Sequence, residues 1–589
     1  MDETGRIILR WRDDLRLLHV LTFCILSAVI VALGVQGFEH GRVNNFRDQS
    51  IQLPLVYSYA DSTLYADDFL MEARDSYVTW FYPAIGFMSR YVPLQPLMFA
   101  LYLLATIITV GAVYALAETI FPRRNVGLFA VILWMAYFPN PGGDYVHSPF
   151  VTHSTFAIAL ALWAIVLILR KNQIAAAILL GLIANINAMT AFFVVFMWGF
   201  AVVISPQQWS WKLLRLPIYM GIAAAPVLIW RFSLPLAQAS LDQFVSIIEL
   251  RLWYAVFPFR ITAELWLGFF LLAAIWVYSY RYAKKNSVLH PQVLRLVSGI
   301  IFLAFAATIF SEIIPIEFII ELQLIRSTWL INLFILLYLA NMIRELLSAN
   351  KVRATWLAFG LIAALATPRF ILGFFPVSHP TPYLLHADFE TAWIRDNLLL
   401  VTPMMILGGV GIMIAVRSMI HSPDTICGYA TSRRIQAWFA CSVMFFVAPL
   451  FMDSNVNSKQ VALARDWEQT LTWVAQNTEV DAKFVTPPTL DGFRVGAKRT
   501  QLADWKDGTV GIFDNEWAID WYELMLELGF DEKTFTFKDL SQGQLCHLSQ
   551  KYDLDYAVVF RDWGIEGEAV YQNDQLAVIP IESLVCTAT

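Results

Sequence analysis

Runs of apolar residues alternate with polar connections through roughly the first 450 residues of the chain. Most runs extend for about 18–22 residues, the length of a helix that crosses a hydrocarbon core roughly 30 Å thick. The runs lie at 18–36, 93–117, 126–138, 152–169, 174–187, 189–204, 216–231, 263–280, 296–311, 327–343, 355–375, 397–416 and 435–451. They predict a polytopic α-helical membrane protein with about thirteen transmembrane helices. Several runs are short and need tilt or burial within protein, and the fifth and sixth could form one bent hairpin around Asn185–Ile186–Asn187.

The last part of the chain has a different pattern. Helical periodicity at Lys459–Gln476, Glu516–Leu528 and Ser541–Tyr552 alternates with short apolar strands at Ala482–Val485, Tyr556–Phe560 and Leu576–Ile579. Alternating helices and strands predict a small α/β domain. The organisation we expect is a transmembrane catalytic domain over 1–454, with a long first outer loop at 37–92, followed by a soluble α/β domain over 455–589.

The basic residues predict an orientation for these spans. Lys and Arg are enriched in every second connection, beginning with Arg6, Arg10, Arg12 and Arg16. Because cytoplasmic loops carry this excess, the amino end is predicted to be cytoplasmic. An odd number of spans then puts the tail on the extracytoplasmic face. The first run, Leu18–Val35, is interpreted as a signal anchor, since it is too long for the apolar region of a cleaved signal.

Composition agrees with the membrane assignment. The chain is 58% hydrophobic and only 15% charged, whereas soluble domains carry about 25% charged residues. It shows no basic patch for nucleic acid. Two of the five cysteines, Cys546 and Cys586, fall in the tail; an extracytoplasmic tail permits a disulfide between them, and two unrelated thiols remain the alternative.

Ionisable residues are nearly absent at mid-depth of the predicted spans, where a proton-coupled carrier usually needs them. They collect instead at the outer ends of the helices. This set includes Asp61, Asp67, Asp68, Glu72, Asp75, Asp144, His147, His153, Arg251, Glu312, Glu317 and Arg326. Acids and bases converging just above the bilayer favour chemistry on a lipid-linked substrate whose head group lies at the outer face.

The segment Ser62-Thr-Leu-Tyr-Ala-Asp-Asp-Phe69 resembles the acidic first-loop motif of the GT-C membrane glycosyltransferases. These include oligosaccharyltransferase catalytic subunits, protein O-mannosyltransferases and aminoarabinose transferases. The topology is also similar, with an interfacial helix expected near Tyr77–Tyr91. The resemblance implies an enzyme of the bacterial plasma membrane that takes a sugar from a polyprenyl-phosphate donor. It transfers the sugar, with inversion, to an extracytoplasmic protein, lipid or polysaccharide of the cell envelope.

The resemblance implies catalytic roles for Asp67 and Asp68. A carboxylate within hydrogen-bonding reach activates an acceptor hydroxyl as general base, and Asp67 aligns better with the first acid of the family motif. Side chains alternate along an extended segment, so Asp68 would orient its neighbour or face solvent. Alternatively, both residues only cap the helix predicted to follow.

A polyprenyl-phosphate leaving group needs positive charge where negative charge develops. Arg326, in Gln323-Leu-Ile-Arg326-Ser327, is the first candidate for this contact, and an Arg reaching lipid head groups is the alternative. His153 and Arg251 are weaker candidates. Asp61 and Glu312 complete the predicted substrate-binding set, and Thr308-Ile-Phe-Ser-Glu312 loosely resembles an outer-loop motif of oligosaccharyltransferases.

No metal ligand is assigned, and a divalent cation is left open as a cofactor. The tail lacks the Trp-Trp-Asp motif of oligosaccharyltransferases, and His386-Ala-Asp388-Phe-Glu390 has weak spacing for a metal. Two other functions stay open. A transporter or flippase of lipid-linked glycans would need a polar path reaching Asn185, and a non-catalytic assembly protein would expose its first-loop carboxylates to bulk water.

Overall fold

The computed structural model describes residues 21–22, 24–25, 48–122, 126–134, 140–143, 151–234, 239–348 and 458–586. The predicted spans at 355–375, 397–416 and 435–451, and most of the first span, lie outside these residues. So do Asp144, His147 and the segment His386–Glu390.

Fourteen helices precede the tail in the described ranges. They are α1 (Gln49–Ala60), α2 (Phe69–Glu72), α3 (Phe81–Ser89), α4 (Leu94–Ile120), α5 (Val126–Trp134), α6 (His153–Leu169), α7 (Gln173–Ala184), α8 (Ala188–Val203), α9 (Arg215–Ser233), α10 (Leu241–Val256), α11 (Ala263–Asn286), α12 (His290–Thr308), α13 (Glu317–Glu321) and α14 (Trp329–Ser348). Five stretches are long and apolar enough to cross a membrane: Leu94–Ile120, Trp211–Ser233, Leu265–Ala283, His290–Ile313 and Glu317–Leu346. Helices α6, α7 and α8 are shorter and apolar.

Helices α7 and α8 are separate helices joined at Asn185–Asn187. Asn187 caps α8 by accepting a hydrogen bond from Thr190 N at 2.8 Å. Asn185 joins α7 to α9, since its amide donates to Ala223 O at 2.8 Å and accepts from Val227 N at 3.1 Å. Its polar groups are therefore used in helix packing.

The connections between helices segregate at two ends of the bundle. At one end, Arg170 donates to Thr119 and Arg295 donates to Ser205. At the other end, Trp230 donates to the carbonyl of Asp75. Each of these contacts joins two connections that the sequence assigns to the same side, and the orientation of the bundle in a membrane stays a prediction.

The tail is a small α/β domain, as predicted. It contains helices α15 (Ser458–Asn477), α16 (Phe493–Gly496), α17 (Asn515–Glu527) and α18 (Gln542–Tyr552), and strands β1 (Lys483–Val485), β2 (Thr500–Gln501), β3 (Phe530–Asp531), β4 (Thr536–Phe537), β5 (Tyr556–Phe560), β6 (Tyr571–Gln572) and β7 (Leu576–Pro580). The main sheet has the order β2-β1-β5-β7-β6, and β3 pairs with β4. Strands β2, β1 and β5 are parallel, and β7 is antiparallel to both neighbours. Cys546 and Cys586 form a disulfide across a separation of 40 residues.

Alternate residues of the central strands fill the two sides of this sheet. Val558 packs with α15 on one side. Ala557 and Val559 belong to a second core, on the other side, that continues into the membrane part. Phe244 and Ile248 of α10 are buried in that same core. The tail is therefore docked on the end of the bundle that carries the first loop and α10.

Candidate site at the junction of the membrane helices and the tail

Asp68 is buried between the first loop and the tail. Its Oδ1 caps α2 by accepting from Leu70 N at 2.9 Å. The Arg494 Nε donates to both carboxylate oxygens, at 2.9 and 2.8 Å. Gln501 N donates to Oδ2 at 3.0 Å. The side chain is 0% exposed, so Asp68 joins the loop to the tail and offers no surface to a ligand.

Arg494 is the centre of a buried network. It donates to Asp507 Oδ1 at 2.9 Å and lies 3.9 Å from Asp504, while Tyr65 donates its hydroxyl to the Arg494 carbonyl at 2.6 Å. Burial, and next the charge of Asp507, raise the pKa of Asp504 well above its ordinary value, which favours a protonated Asp504. We refer to Asp68, Arg494, Asp504 and Asp507 as the buried clasp.

Asp67 and Asp61 lie at the protein surface. The Asp67 side chain is 70% exposed and its Oδ2 lies 3.1 Å from Lys483 Nζ. Asp61 accepts from the hydroxyl of Thr63 at 2.7 Å in an exposed turn. Within the described residues, neither carboxylate forms an ion pair or hydrogen bond with Arg326. The predicted base and the predicted phosphate clamp therefore make no direct contact with each other in the described residues.

Arg326 lies in the 3-10 turn Leu324–Thr328 that leads into α14. The loop before α6 packs directly on its backbone, because a Cβ on Gly142 would lie 2.4 Å from Arg326 Cα. Thr328 adds a hydrogen bond to Asn140 Oδ1 at 2.8 Å. Gln323, just before the turn, is buried with a left-handed φ of 46°. In the described chain, its Oε1 accepts no hydrogen bond.

An acidic residue that the sequence analysis did not single out lies near Arg326. Asp48, at the start of α1, accepts a hydrogen bond from the Lys506 ammonium at 2.7 Å, although 458 positions separate the two residues. The Asp48 side chain remains 45% exposed and that of Lys506 only 11%. The pair therefore combines an accessible carboxylate from the first loop with a largely enclosed cation from the tail.

Three cations act on this carboxylate, one by direct contact and two through their charge. Partial burial alone would raise the pKa of Asp48, but Lys506 and, more weakly, Arg326 and Arg251 lower it to about 2. Asp48 is consequently ionised at neutral pH. We refer to Asp48, Arg251, Arg326 and Lys506 as the junction cluster; its formal charge is positive, because three cations face one carboxylate.

A group of aromatic residues lies within the electrostatic reach of this cluster. The Tyr82 hydroxyl lies 2.7 Å from His153 Nδ1. Tyr77 packs edge-on against both rings, with centroids 5.6 Å from Tyr82 and 5.4 Å from His153. Burial raises the pKa of both tyrosines, and the charge of Asp48 adds to the effect. His153, at the first position of α6, is therefore held by two tyrosines whose phenols respond to the charge of Asp48.

Arg251 holds the tail in place. Its Nε donates to the carbonyl of Trp505 at 2.9 Å, and its Nη2 donates to Thr509 Oγ1 at 2.7 Å. It thereby positions the segment that carries Lys506, and the predicted contact of Arg251 with a phosphate stays a prediction. Glu312 is engaged elsewhere, since its carboxylate accepts from Phe259 N at 2.6 Å.

The junction cluster has the chemistry of an anion site beside a carboxylate. Arginine and lysine pair with phosphate oxygens, and the first turn of α1 adds one amide donor, Gln49 Nε2, and one amide acceptor, Gln52 Oε1. Gln49 and Gln52 are buried on the first turn of α1. Within the described ranges, no partner lies in hydrogen-bonding distance of Gln49 Nε2 or Gln52 Oε1. The same ranges contain no group of three or more His, Cys, Asp or Glu side chains arranged for a metal ion.

Comparison with known protein families gives one match. Residues 465–528 match a domain of unknown function, DUF6798. This segment includes Arg494 and Lys506, so it supplies both the centre of the buried clasp and the tail's cation in the junction cluster. A search of curated proteins gives no match. The structure thus defines a helical protein with candidate membrane-spanning helices and a docked tail that contains this domain.

Sequence reasoning missed Asp48, Lys506, Tyr77 and Tyr82 as site residues. Asp48 follows Arg47 in a polar stretch that resembles an ordinary loop. Lys506 follows Trp505 in the tail, where nothing in the local pattern points to the first loop. One local signal was available at the start of α1. Asp48 and Gln52 are four positions apart, so their side chains lie on the same face of the helix.

Proposed function

We propose that the chain is a polytopic glycosyltransferase of the bacterial plasma membrane that uses a polyprenyl-phosphate-linked sugar as donor. The lipid chain would lie among the membrane helices, and its phosphate would lie in the junction cluster. The sugar would pass to an extracytoplasmic acceptor by direct displacement, with inversion at the anomeric carbon. This proposal keeps about thirteen spans, a cytoplasmic amino end and an extracytoplasmic tail.

The junction cluster is the observation that carries the proposal. It combines one accessible carboxylate, Asp48, with cations from two separate parts of the fold, Arg326 and Lys506. A displacement at a sugar phosphate needs a base for the acceptor hydroxyl and positive charge for the leaving phosphate. These needs coincide with the residues that meet at this end of the bundle, where a lipid-linked head group would lie.

The proposal transfers the role of base from Asp67 to Asp48. Asp67 is mostly exposed beside Lys483, whereas Asp48 lies within the electrostatic reach of Arg326 and Arg251. Asp68 then acts as a structural residue of the buried clasp. The segment around Asp67 still contributes, because it holds the tail that brings Lys506 to the site.

Purified full-length protein in nanodiscs tests this assignment. A panel of polyprenyl-phosphate sugars is supplied with candidate acceptors, and mass spectrometry detects any sugar-bearing product. Asp48→Asn is expected to reduce transfer by on the order of a hundredfold or more, as expected for removal of a general base. Asp67→Asn is the matched control and is expected to transfer normally.

The two variants separate the hypotheses. Loss of transfer in Asp67→Asn with normal transfer in Asp48→Asn would restore the sequence-based assignment. Normal transfer by both variants would mean that the general base is not one of these first-loop residues. Absence of any product from a broad donor panel, with intact donor binding, would favour a carrier or assembly function over an enzyme.

A further inference from the structure

The ion pair between Lys506 and Asp48 works against the role proposed for Asp48. A general base is most effective when its pKa lies near the working pH. Lys506 lowers the pKa of Asp48, and with the other cations brings it to about 2. As long as the ammonium stays on the carboxylate, Asp48 is a weak base.

We infer that Lys506 exchanges between two anions, the Asp48 carboxylate and the phosphate of a polyprenyl-phosphate lipid, so that lipid binding releases Asp48. This inference rests on the proposed function and identifies what would activate its base. The tail would then contribute more than a cover for the site. Its lysine would make the reactivity of Asp48 depend on the presence of the phosphate.

The backbone around Lys506 is held on both sides, which leaves the side chain as the movable part. Arg251 holds the Trp505 carbonyl at 2.9 Å, and Arg494 holds the Asp507 carboxylate at 2.9 Å. Thr509 donates to the Lys506 carbonyl at 2.9 Å. A lysine side chain is a flexible four-carbon chain with a compact charge, so it can change partners over a short distance without movement of the backbone.

The surroundings of Asp48 favour such an exchange. The other cations facing Asp48 are Arg326 and Arg251, while Tyr77 and Tyr82 are neutral and His153 lies behind them. An incoming phosphate therefore meets the positive charge of Arg326 and Arg251 in addition to that of Lys506. The accessible part of Asp48, 45% of its side chain, gives the phosphate a route to Lys506.

A double-mutant cycle on lipid-phosphate binding tests the inference. Full-length protein in nanodiscs is titrated with polyprenyl phosphate, and the dissociation constant is measured for wild type, Asp48→Asn, Lys506→Met and the double variant. Asp48→Asn is expected to tighten binding about fivefold, because the competing carboxylate is removed. Lys506→Met is expected to weaken binding about tenfold, and Asp48→Asn is expected to give no gain in the Lys506→Met background.

The cycle distinguishes exchange from simple repulsion. If Asp48 only repelled phosphate, its replacement would tighten binding equally with and without Lys506, and the inference would be wrong. Asp67→Asn and Lys483→Met form the matched control, since they remove a second, more exposed ion pair between the first loop and the tail. Both are expected to bind like wild type, and Lys506→Arg is expected to retain the response to Asp48→Asn.

Two further probes identify the source of the phosphate. Inorganic phosphate and vesicle phosphatidic acid are titrated under the same conditions, and a response to polyprenyl phosphate alone supports the inference. Equal binding responses to polyprenyl phosphate, inorganic phosphate and phosphatidic acid would contradict the inference that the site recognises this lipid. If wild type binds no polyprenyl phosphate, both the proposed function and the inference are wrong. If wild type binds polyprenyl phosphate but Asp48→Asn does not bind it more tightly, the inference is wrong and the proposed function is unaffected.

Discussion

The Lys506 ammonium of the tail lies 2.7 Å from the Asp48 carboxylate of the first loop. Two further hydrogen bonds across the same interface hold this pair in place. Arg494 donates to the Asp68 carboxylate, and Arg251 donates to the carbonyl of Trp505. The tail is thus part of the candidate site. A change in the clasp should therefore alter the junction cluster, even though no clasp residue belongs to it.

Arg494→Met is expected to loosen the tail from the first loop. It leaves Asp68 and Asp507 buried without their cation, a loss that typically costs about 3–5 kcal/mol. Hydrogen exchange should rise in peptides covering residues 61–74 and 493–509. Lys483→Met is the control, because its partner Asp67 is mostly exposed and such surface pairs contribute about 0–1 kcal/mol. Unchanged exchange in Arg494→Met would show that the clasp does not hold the interface.

Gly142→Ala is expected to displace Arg326. The added Cβ would meet Arg326 Cα at 2.4 Å and Ile325 O at 2.6 Å, and backbone atoms in a packed turn cannot move aside cheaply. Binding of polyprenyl phosphate should weaken about tenfold if Arg326 contacts the phosphate. Gly199→Ala is the control, since nothing lies within 4 Å of its added Cβ. Equal binding by both variants would argue against a role for Arg326.

The sequence predicted individual elements of the tail well. The predicted helix Lys459–Gln476 corresponds to Ser458–Asn477, and the predicted strand Tyr556–Phe560 has the observed bounds. These elements are defined by local periodicity, which follows from which side chains face the core.

The candidate site was less predictable, because it depends on contacts between distant positions. Asp68 carries the same charge as Asp67 and follows it directly, yet one is 0% and the other 70% exposed. The partners of Asp68 explain the difference, because Arg494 and Gln501 N of the tail donate to its carboxylate. No local pattern relates Lys506 to Asp48, since their pairing depends on how the tail packs on α10.

The stability of the tail is expected to fall as pH rises above the ordinary range of an aspartate. Burial raises the pKa of Asp504 well above 3.8 and also raises that of Asp507. A carboxyl group whose pKa is higher in the folded state than in the unfolded state stabilises the fold fully when the pH is below its unfolded-state pKa. That stabilisation is lost as the pH rises through the folded-state pKa. Asp48 acts in the opposite direction, but its contribution is lost only as pH falls from about 4 toward 2.

Thermal unfolding of the full chain between pH 5 and pH 8 measures this effect. The midpoint assigned to the tail should fall with rising pH in wild type, and the fall should be smaller in Asp504→Asn, which keeps a neutral side chain at that position. Asp67→Asn, at the surface, should follow wild type. A wild-type midpoint that rises over this interval would mean that Asp504 is ionised in the folded tail.

The Cys546–Cys586 disulfide should stabilise the tail and report on its location. Closing a loop across 40 residues contributes about 3–4 kcal/mol in the chain-entropy model. Cys546→Ala with Cys586→Ala should therefore lower the unfolding midpoint of the tail, as should reduction of wild type. In protein taken directly from cells under denaturing, acidified conditions, a thiol reagent should leave both cysteines unlabelled until a reductant is added. Labelling of both without reductant would contradict an extracytoplasmic tail, because disulfides persist in oxidising compartments and are rare in the cytoplasm.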